Sequence, residues 1–148
     1  MGVNEQLMED LKDAMRKHQE VRVSAIRMAR AAIVNEAIAK GRPLTDEDII
    51  GVLSRQVKQR RESIEAFTKG NRPDLAARER EEEEVLLSYM PQQMSREEIG
   101  LAAQTTIQEV GATGPGDFGK VMSKLAPQLK GRADGRVIGE VVRDLLSR

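Results

Sequence analysis

Residues 20–40 read Glu20-Val-Arg-Val-Ser-Ala-Ile-Arg-Met-Ala-Arg-Ala-Ala-Ile-Val-Asn-Glu-Ala-Ile-Ala-Lys40, a continuous helical pattern that Gly41 and Pro43 end. At about 100° per residue, its apolar side chains surround most of the helix axis instead of forming one stripe. A helix that is apolar on all sides is normally buried at the centre of a bundle. We therefore predict a central, buried helix over this segment.

Helical patterns continue on both sides of it. Apolar residues recur at helical spacing before it, and Thr45-Asp46-Glu47-Asp48 and Ser95-Arg96-Glu97-Glu98 are capping boxes that begin two later helices. The predicted helices span residues 4–18, 20–40, 45–70, 73–90, 95–111, 117–129 and 135–147. The sequence thus predicts an all-α protein, with an N-terminal bundle of long helices over residues 1–92 and a three-helix C-terminal module over residues 93–148.

Composition excludes several classes of protein. The 148 residues carry 24 basic and 24 acidic side chains, so the zero net charge argues against a strongly basic nucleic-acid coat. The absence of cysteine excludes disulfides, thiolate metal sites and cysteine nucleophiles, and a single histidine makes zinc sites and catalytic triads improbable. We expect no metal and no cofactor. Without a secretory signal or an apolar run of about 18 residues, a soluble, cytoplasmic protein without a membrane partner is expected.

The C-terminal module has a local excess of positive charge. From Phe118 to Arg148 there are seven Lys or Arg residues and three Asp or Glu residues. The predicted inward faces consist of Phe118, Val121, Met122, Leu125 and Leu129 on the sixth helix and of Val137, Val141 and Leu145 on the seventh. The predicted phosphate-binding surface consists of Lys120, Lys124, Lys130, Arg132, Arg136 and Arg143. A solvated helical face is the alternative interpretation.

The segment Gly114-Pro-Gly-Asp-Phe-Gly-Lys120 has the glycine and lysine spacing of a P-loop. Val121 stands where Mg²⁺ coordination needs Ser or Thr, and the segment follows a helix instead of a strand, so nucleotide hydrolysis is not predicted. Backbone N–H groups near Gly119, together with Lys120, could still hold a nucleic-acid phosphate.

Two arginines, Arg30 and Arg60, fall inside the apolar faces of their helices, where an unpaired charge is costly. Three acids of the fourth helix are the predicted partners in structural ion pairs: Glu79, Glu82 and Glu83. A secondary basic patch on the third helix, available for RNA, consists of Arg55, Lys58 and Arg61. We interpret the acidic run over residues 79–84 as part of the ion-pair network or a solvated face, not as a metal site.

Four segments carry a resemblance to a known family. They are Ser24-Ala-Ile-Arg-Met-Ala-Arg-Ala-Ala-Ile-Val-Asn-Glu36, Val57-Lys-Gln-Arg-Arg-Glu-Ser-Ile-Glu-Ala-Phe67, Leu87-Ser-Tyr-Met-Pro-Gln-Gln-Met-Ser95, and Gly119-Lys-Val-Met122 with Lys130-Gly-Arg-Ala-Asp134. In this order they resemble the YqeY-like proteins over essentially the whole chain. That family is similar to the C-terminal tail of the B subunit of the tRNA-dependent Asp/Glu-tRNA amidotransferase.

The resemblance implies a two-part helical fold and, by analogy with the amidotransferase tail, tRNA binding. The tail's motifs carry over to Gly119–Met122 and to the turn that ends at Asp134, with departures at Ser123 and Gly135, where the family commonly has glycine and proline. We therefore expect a non-catalytic accessory protein that recognises tRNA by shape and phosphate contacts. Two alternatives stay open: a glutamine-dependent carbon–nitrogen ligase, for which no catalytic residue is predicted, and a helical adaptor for an aminoacyl-tRNA synthetase or an amidotransferase.

Overall fold

The computed structural model describes residues 2–148, which are 78 % helical and contain no strand. The all-α prediction is confirmed. Seven α-helices lie within the described residues: α1 (Val3–Arg16), α2 (Glu20–Lys40), α3 (Asp46–Lys69), α4 (Pro73–Leu87), α5 (Arg96–Val110), α6 (Phe118–Gln128) and α7 (Gly135–Leu146). A short 3₁₀ turn, Pro115–Asp117, precedes α6. The chain forms two compact units, the first ending at Met90 and the second spanning Pro91–Arg148.

Local signals fix most helix ends. The Thr45 hydroxyl accepts a hydrogen bond from Asp48 N, while the Asp48 carboxylate accepts one from Thr45 N, which completes the capping box of α3. The same reciprocal pair joins Ser95 and Glu98 at the start of α5. These bonds satisfy backbone N–H groups that lack partners inside the helix. They hold the pKa of Glu98 below its ordinary value, and the pKa of Asp48 is lowered mainly by Arg42 and further by Thr45.

The first unit packs four helices around an aliphatic core, with α4 against α2 and α3, and α1 against α2 and α3. Its buried core residues are Leu7, Leu11, Ile26, Ala29, Ile33, Ile49, Val52, Leu53, Val57 and Leu86. A polar cluster borders this core, where the Tyr89 hydroxyl donates to Asp10 Oδ2 at 2.5 Å and Arg22 lies 2.9 Å from Asp13. This cluster connects α1, α2 and the residues that follow α4.

The prediction that α2 is buried on all sides is wrong. On its inner face, Ala25, Ile26, Ala29 and Ile33 are buried. On the opposite face, Val34 is 55 % exposed and Ile38 is 73 % exposed. The other helices of the unit pack against one side of α2 only. The number of apolar residues on a helix does not reveal how many other helices pack against it. The prediction from sequence therefore overestimated the burial of α2.

The second unit packs α5, α6 and α7 against one another. Its buried core consists of Ile99, Ala103, Val121, Leu125, Leu129, Ile138, Val141, Val142 and Leu146. Of the three residues predicted to face inward on α7, Val141 is buried, whereas Val137 and Leu145 are only partly buried. The other buried side chains of the helix, Ile138, Val142 and Leu146, lie one position further along. Both sets are apolar and share helical spacing, so only packing against α5 and α6 selects between them. Within residues 2–148, no helix has the length and apolar character required to span a bilayer.

Candidate nucleic-acid interface

The glycine-rich segment before α6 forms a turn that an aspartate side chain closes. Asp117 Oδ2 accepts a hydrogen bond from Thr113 N at 2.9 Å, and this bond holds the Asp117 pKa below its ordinary value. The turn is therefore closed by a carboxylate that lies near the predicted phosphate site at Gly119 and Lys120. Gly119 itself lies in the first turn of α6.

The two lysines of α6 have different surroundings. Lys124 Nζ lies 2.7 Å from Glu109 Oε2 of α5, so much of its charge is neutralised locally. Lys120 is exposed and forms no ion pair within residues 2–148, although it lies close enough to Asp117 to lower the pKa of that carboxyl. Lys120 is thus the lysine of α6 that remains open to an outside phosphate.

The turn between α6 and α7 is held in place by the segment that begins the second unit. Gln93 Nε2 donates to Gly131 O at 2.8 Å, and Met94 N donates to Arg132 O at the same distance. Gly131 has φ +82°, a left-handed conformation that favours glycine. Lys130 and Arg132 on either side of it are exposed, and neither forms an ion pair within the described part of the chain. Arg132 Nε also donates to Gln92 O at 3.3 Å, which orients its side chain.

The arginines of α7 are also unlike each other. Arg136 lies 3.6 Å from Glu140, which Arg96 also contacts at 3.3 Å. Arg143 stacks on the Phe118 ring at 4.5 Å from its centroid, which holds the guanidinium over an aromatic face and leaves it exposed. Of the predicted surface, the cations without an ion pair in residues 2–148 are Lys120, Lys130, Arg132 and Arg143.

The secondary basic patch on α3 is mostly engaged within the first unit. Arg55 lies 3.1 Å from Glu36, and Arg61 Nε donates to Glu83 at 2.9 Å with its side chain partly buried. Lys58 is exposed and forms no ion pair in the described chain. Arg61 was predicted to be available for RNA, but α4 supplies a carboxylate that engages it. Of the three predicted cations on α3, Lys58 is the one without an ion pair in the described chain.

Arg60 forms the centre of a buried ion-pair cluster. Its Nε lies 3.0 Å from Glu79 and its Nη1 lies 3.0 Å from Glu82, whose side chain is only 6 % exposed. Burial raises the Glu79 pKa above its ordinary value, with a further contribution from Glu82, while Arg60 opposes the rise. The pairing joins the middle of α3 to α4 and fixes how the two helices dock.

Arg30 differs from the prediction. It forms no ion pair among residues 2–148, and its Nε is buried without a hydrogen-bond partner. The three acids of α4 that were predicted to serve both arginines contact Arg60 and Arg61 instead, because α3 presents those two to α4. Arg30 is thus half-buried with an unsatisfied donor.

Sequence reasoning missed the acids that engage the basic surface. Glu109, Glu140 and Glu36 come from other helices or from the next turn, and no local motif marks Glu109 or Glu36 as a partner. A sequence signal existed only for Glu140, which lies four residues after Arg136. Among residues 2–148 no cluster of three or more His, Asp or Glu side chains is arranged to hold a metal ion.

Comparison with known proteins identifies relatives in fungi. A protein of Lachancea thermotolerans named "Altered inheritance of mitochondria protein 41, mitochondrial" is 34 % identical over 129 residues, covering 82 % of this chain and 69 % of the relative. The protein of the same name from Pyrenophora tritici-repentis is 27 % identical over 95 % of this chain and 78 % of the relative. That from Eremothecium gossypii is 34 % identical over 72 % of this chain and 60 % of the relative.

The expected cytoplasmic location is contradicted by these relatives, all of which are named as mitochondrial proteins. The expectation rested on the lack of a secretory signal and of an apolar span, and neither feature distinguishes one aqueous compartment from another. The model of the family described as Yqey-like protein matches residues 4–146. The match covers nearly the entire chain, and the chain therefore belongs to the YqeY-like protein family.

Proposed function

We propose that this chain is a non-catalytic accessory protein that binds tRNA through phosphate contacts on the second unit. The observation that carries the proposal is the set of exposed cations around α6 and α7 that form no ion pair within residues 2–148: Lys120, Lys130, Arg132 and Arg143. A positive side chain that is not held in an ion pair can bind a phosphate without first displacing a carboxylate, and the counter-ions released from the RNA give a net gain in entropy.

The available side chains favour recognition of shape over recognition of sequence. Arg143 covers Phe118, and the chain's other two aromatic residues, Phe67 and Tyr89, belong to the first unit. The second unit therefore offers little aromatic surface on which an unpaired base could stack. Lysine and arginine contacts to phosphates position an RNA without reading its bases, as shape-based recognition of a folded RNA requires. Similarity of the family to the amidotransferase tail supports the choice of tRNA over other folded RNAs.

The first test is tRNA binding by the full chain in an electrophoretic shift assay at 50 to 200 mM salt. We expect affinity to fall steeply with salt, because each phosphate contact contributes about 0.7 to 0.9 units to the slope of log affinity against log salt. Bulk bacterial and mitochondrial tRNA are both suitable probes, since the curated relatives are named as mitochondrial. Equal affinity at 50 and 200 mM salt, or no binding at 50 mM, would contradict the proposal.

Gly119 provides a second test. It lies exposed in the first turn of α6 with an ordinary backbone conformation, and a Cβ added there meets nothing within 4 Å. Gly119→Ala is therefore expected to stabilise the fold by about 0.5 to 1 kcal/mol. If an RNA backbone approaches α6 beside Lys120, the added methyl group lowers tRNA affinity severalfold.

Thermal unfolding and the shift assay measure the two effects of Gly119→Ala separately. Gly100→Ala is the matched control, because Gly100 lies within α5 and its Cβ position is also open. We expect the control to stabilise the fold without changing tRNA affinity. Unchanged tRNA affinity in Gly119→Ala would exclude close approach of RNA at this turn.

A further inference from the structure

The outer face of α2 is an exposed apolar stripe. Met28, Ala31, Val34 and Ile38 lie on it at helical spacing over about 15 Å of helix, and each is exposed. Between Arg27 and Lys40, no exposed residue of α2 is charged, and Asn35 is the only polar one among them. Single exposed apolar residues are ordinary on a protein surface, but a contiguous row of them indicates a contact surface.

Two cations border this stripe without acidic partners. Arg27 is exposed, and its Nη2 lies 3.9 Å from the sulfur of Met15, an apolar neighbour on α1. Arg30, one turn further along α2, has the buried Nε that lacks a hydrogen-bond partner. Neither arginine forms an ion pair within residues 2–148. Arg27 is exposed and Arg30 is half-buried, so this edge of the stripe carries positive charge that carboxylates of another molecule can approach.

A groove extends the stripe at its N-terminal end. It has a volume of about 530 Å³ and lies between the end of α1 and the first turns of α2. Its lining includes Met15, Glu20, Val23, Ser24, Arg27 and Met28. The apolar residues Val23 and Met28 continue the stripe into the groove, so that it extends over about four helical turns. Arg27 and Arg30 place positive charge along one edge, and Glu20 is the acid at the far end of the groove.

We propose that this surface docks an amphipathic helix of a partner protein, with apolar residues facing the stripe and carboxylates facing Arg27 and Arg30. The charges disfavour a second copy of this chain. In a two-fold dimer each face meets itself, so antiparallel α2 helices would bring Arg27 towards Lys40, and parallel ones would place Arg27 against Arg27. A phosphate backbone could neutralise the arginines but would leave Val34 and Ile38 facing water. An acidic amphipathic helix satisfies both features.

The probe is a synthetic peptide of about 18 residues with leucines at i, i+3, i+4 and i+7 spacing and glutamates flanking them, long enough to form a helix on binding. Fluorescence anisotropy with the full chain measures saturable binding. A second peptide, with lysine in place of every glutamate, tests the charge requirement. We expect the acidic peptide to bind at least tenfold more tightly than the lysine peptide.

Variants of exposed residues locate the site without disturbing the core. The double variant Val34→Glu with Ile38→Glu should lower the affinity for the acidic peptide at least tenfold. Arg27→Gln with Arg30→Gln should lower that affinity severalfold. Leu101→Glu is the matched control, since Leu101 is an exposed leucine, 67 % accessible, on α5 of the second unit. Circular dichroism should show an unchanged helical content for each variant.

Four outcomes would overturn the proposal. The first is that the acidic and lysine peptides bind equally well, and the second is that Leu101→Glu weakens binding of the acidic peptide as much as the α2 variants do. The third is that tRNA competes with the acidic peptide for the stripe. The fourth is that the chain dimerises as its concentration rises and that Val34→Glu with Ile38→Glu abolishes this dimerisation. Binding of the acidic peptide alongside tRNA, with sensitivity only to the α2 variants, would support two separate binding surfaces.

Discussion

Replacing Arg60 with methionine is expected to lower the free energy of unfolding of the first unit by about 3 to 5 kcal/mol. The methionine preserves the apolar contacts of the arginine stem but removes the charge between Glu79 and Glu82. Glu82 is buried, so its carboxylate would stay beside that of Glu79 with only the exposed Arg78, 4.0 Å from Glu82, to compensate. Breaking a buried pair from one side leaves this largely uncompensated charge, and that is the main cause of the expected loss.

The loss in Arg60→Met should depend on pH in a defined direction. Burial already raises the pKa of Glu79, and removal of Arg60 would raise it further. A carboxyl whose pKa is higher in the folded than in the unfolded chain disfavours folding above its unfolded pKa, and the penalty grows until the folded pKa is passed. We therefore expect Arg60→Met to lose less stability near pH 5 than near pH 8.

Urea unfolding followed by tyrosine fluorescence measures this effect in the relevant unit, because Tyr89 is the only tyrosine in the chain and lies in the first unit. Arg55→Met is the control. It removes an ion pair from the same helix, but Arg55 is 58 % exposed, so its loss should cost under about 1 kcal/mol. Similar losses in both variants would show that the Arg60 cluster does not fix the docking of α3 on α4.

The second large effect concerns tRNA binding. Lys120→Ala with Lys130→Ala is expected to reduce affinity at least about tenfold at 100 mM salt and to make the salt slope shallower by about 2, or about 1 per phosphate contact. Both lysines are exposed and neither forms an ion pair in the described chain. Each can therefore contact a phosphate without breaking an ion pair.

The matched control is Lys124→Ala with Arg136→Ala, which changes the net charge by the same two units. These side chains contact Glu109 and Glu140, so a phosphate would have to displace a carboxylate to reach them. We expect a smaller loss of affinity and a smaller change in slope for this pair. Equal losses in the two double variants would mean that tRNA responds to the overall charge of the unit instead of to particular contacts.

The sequence predicts helix ends well where a local group completes them. Thr45 with Asp48 and Ser95 with Glu98 form the predicted boxes, and Gly41 and Gly111 adopt the left-handed conformation that ends α2 and α5. Each of these interactions joins residues within one turn, so the chain order alone brings the groups together. The prediction of α4 to residue 90 was less accurate, since the helix ends at Leu87 and the next residues form a turn.

Pairing between helices was predicted only where burial required it. Arg60 lies in an apolar face, which favours a charged partner, and the acid-rich α4 supplies it. Arg30 lies in a similar pattern but forms no ion pair within residues 2–148. The surface ion pair between Lys124 and Glu109 involves exposed side chains, which do not need a charged partner. Nothing in the order of residues indicates such a pair.

The sequence by itself therefore determined the helical class, the number of helices, most of their ends and the family, since these depend on local hydrogen bonds and on apolar periodicity. Only the tertiary structure decided which apolar row of α7 is buried, which side of α2 stays exposed, and which cations remain without a carboxylate. These properties depend on distances between residues far apart in the chain. Such distances are set by how the helices pack, and packing is a property of the whole unit and not of any one segment.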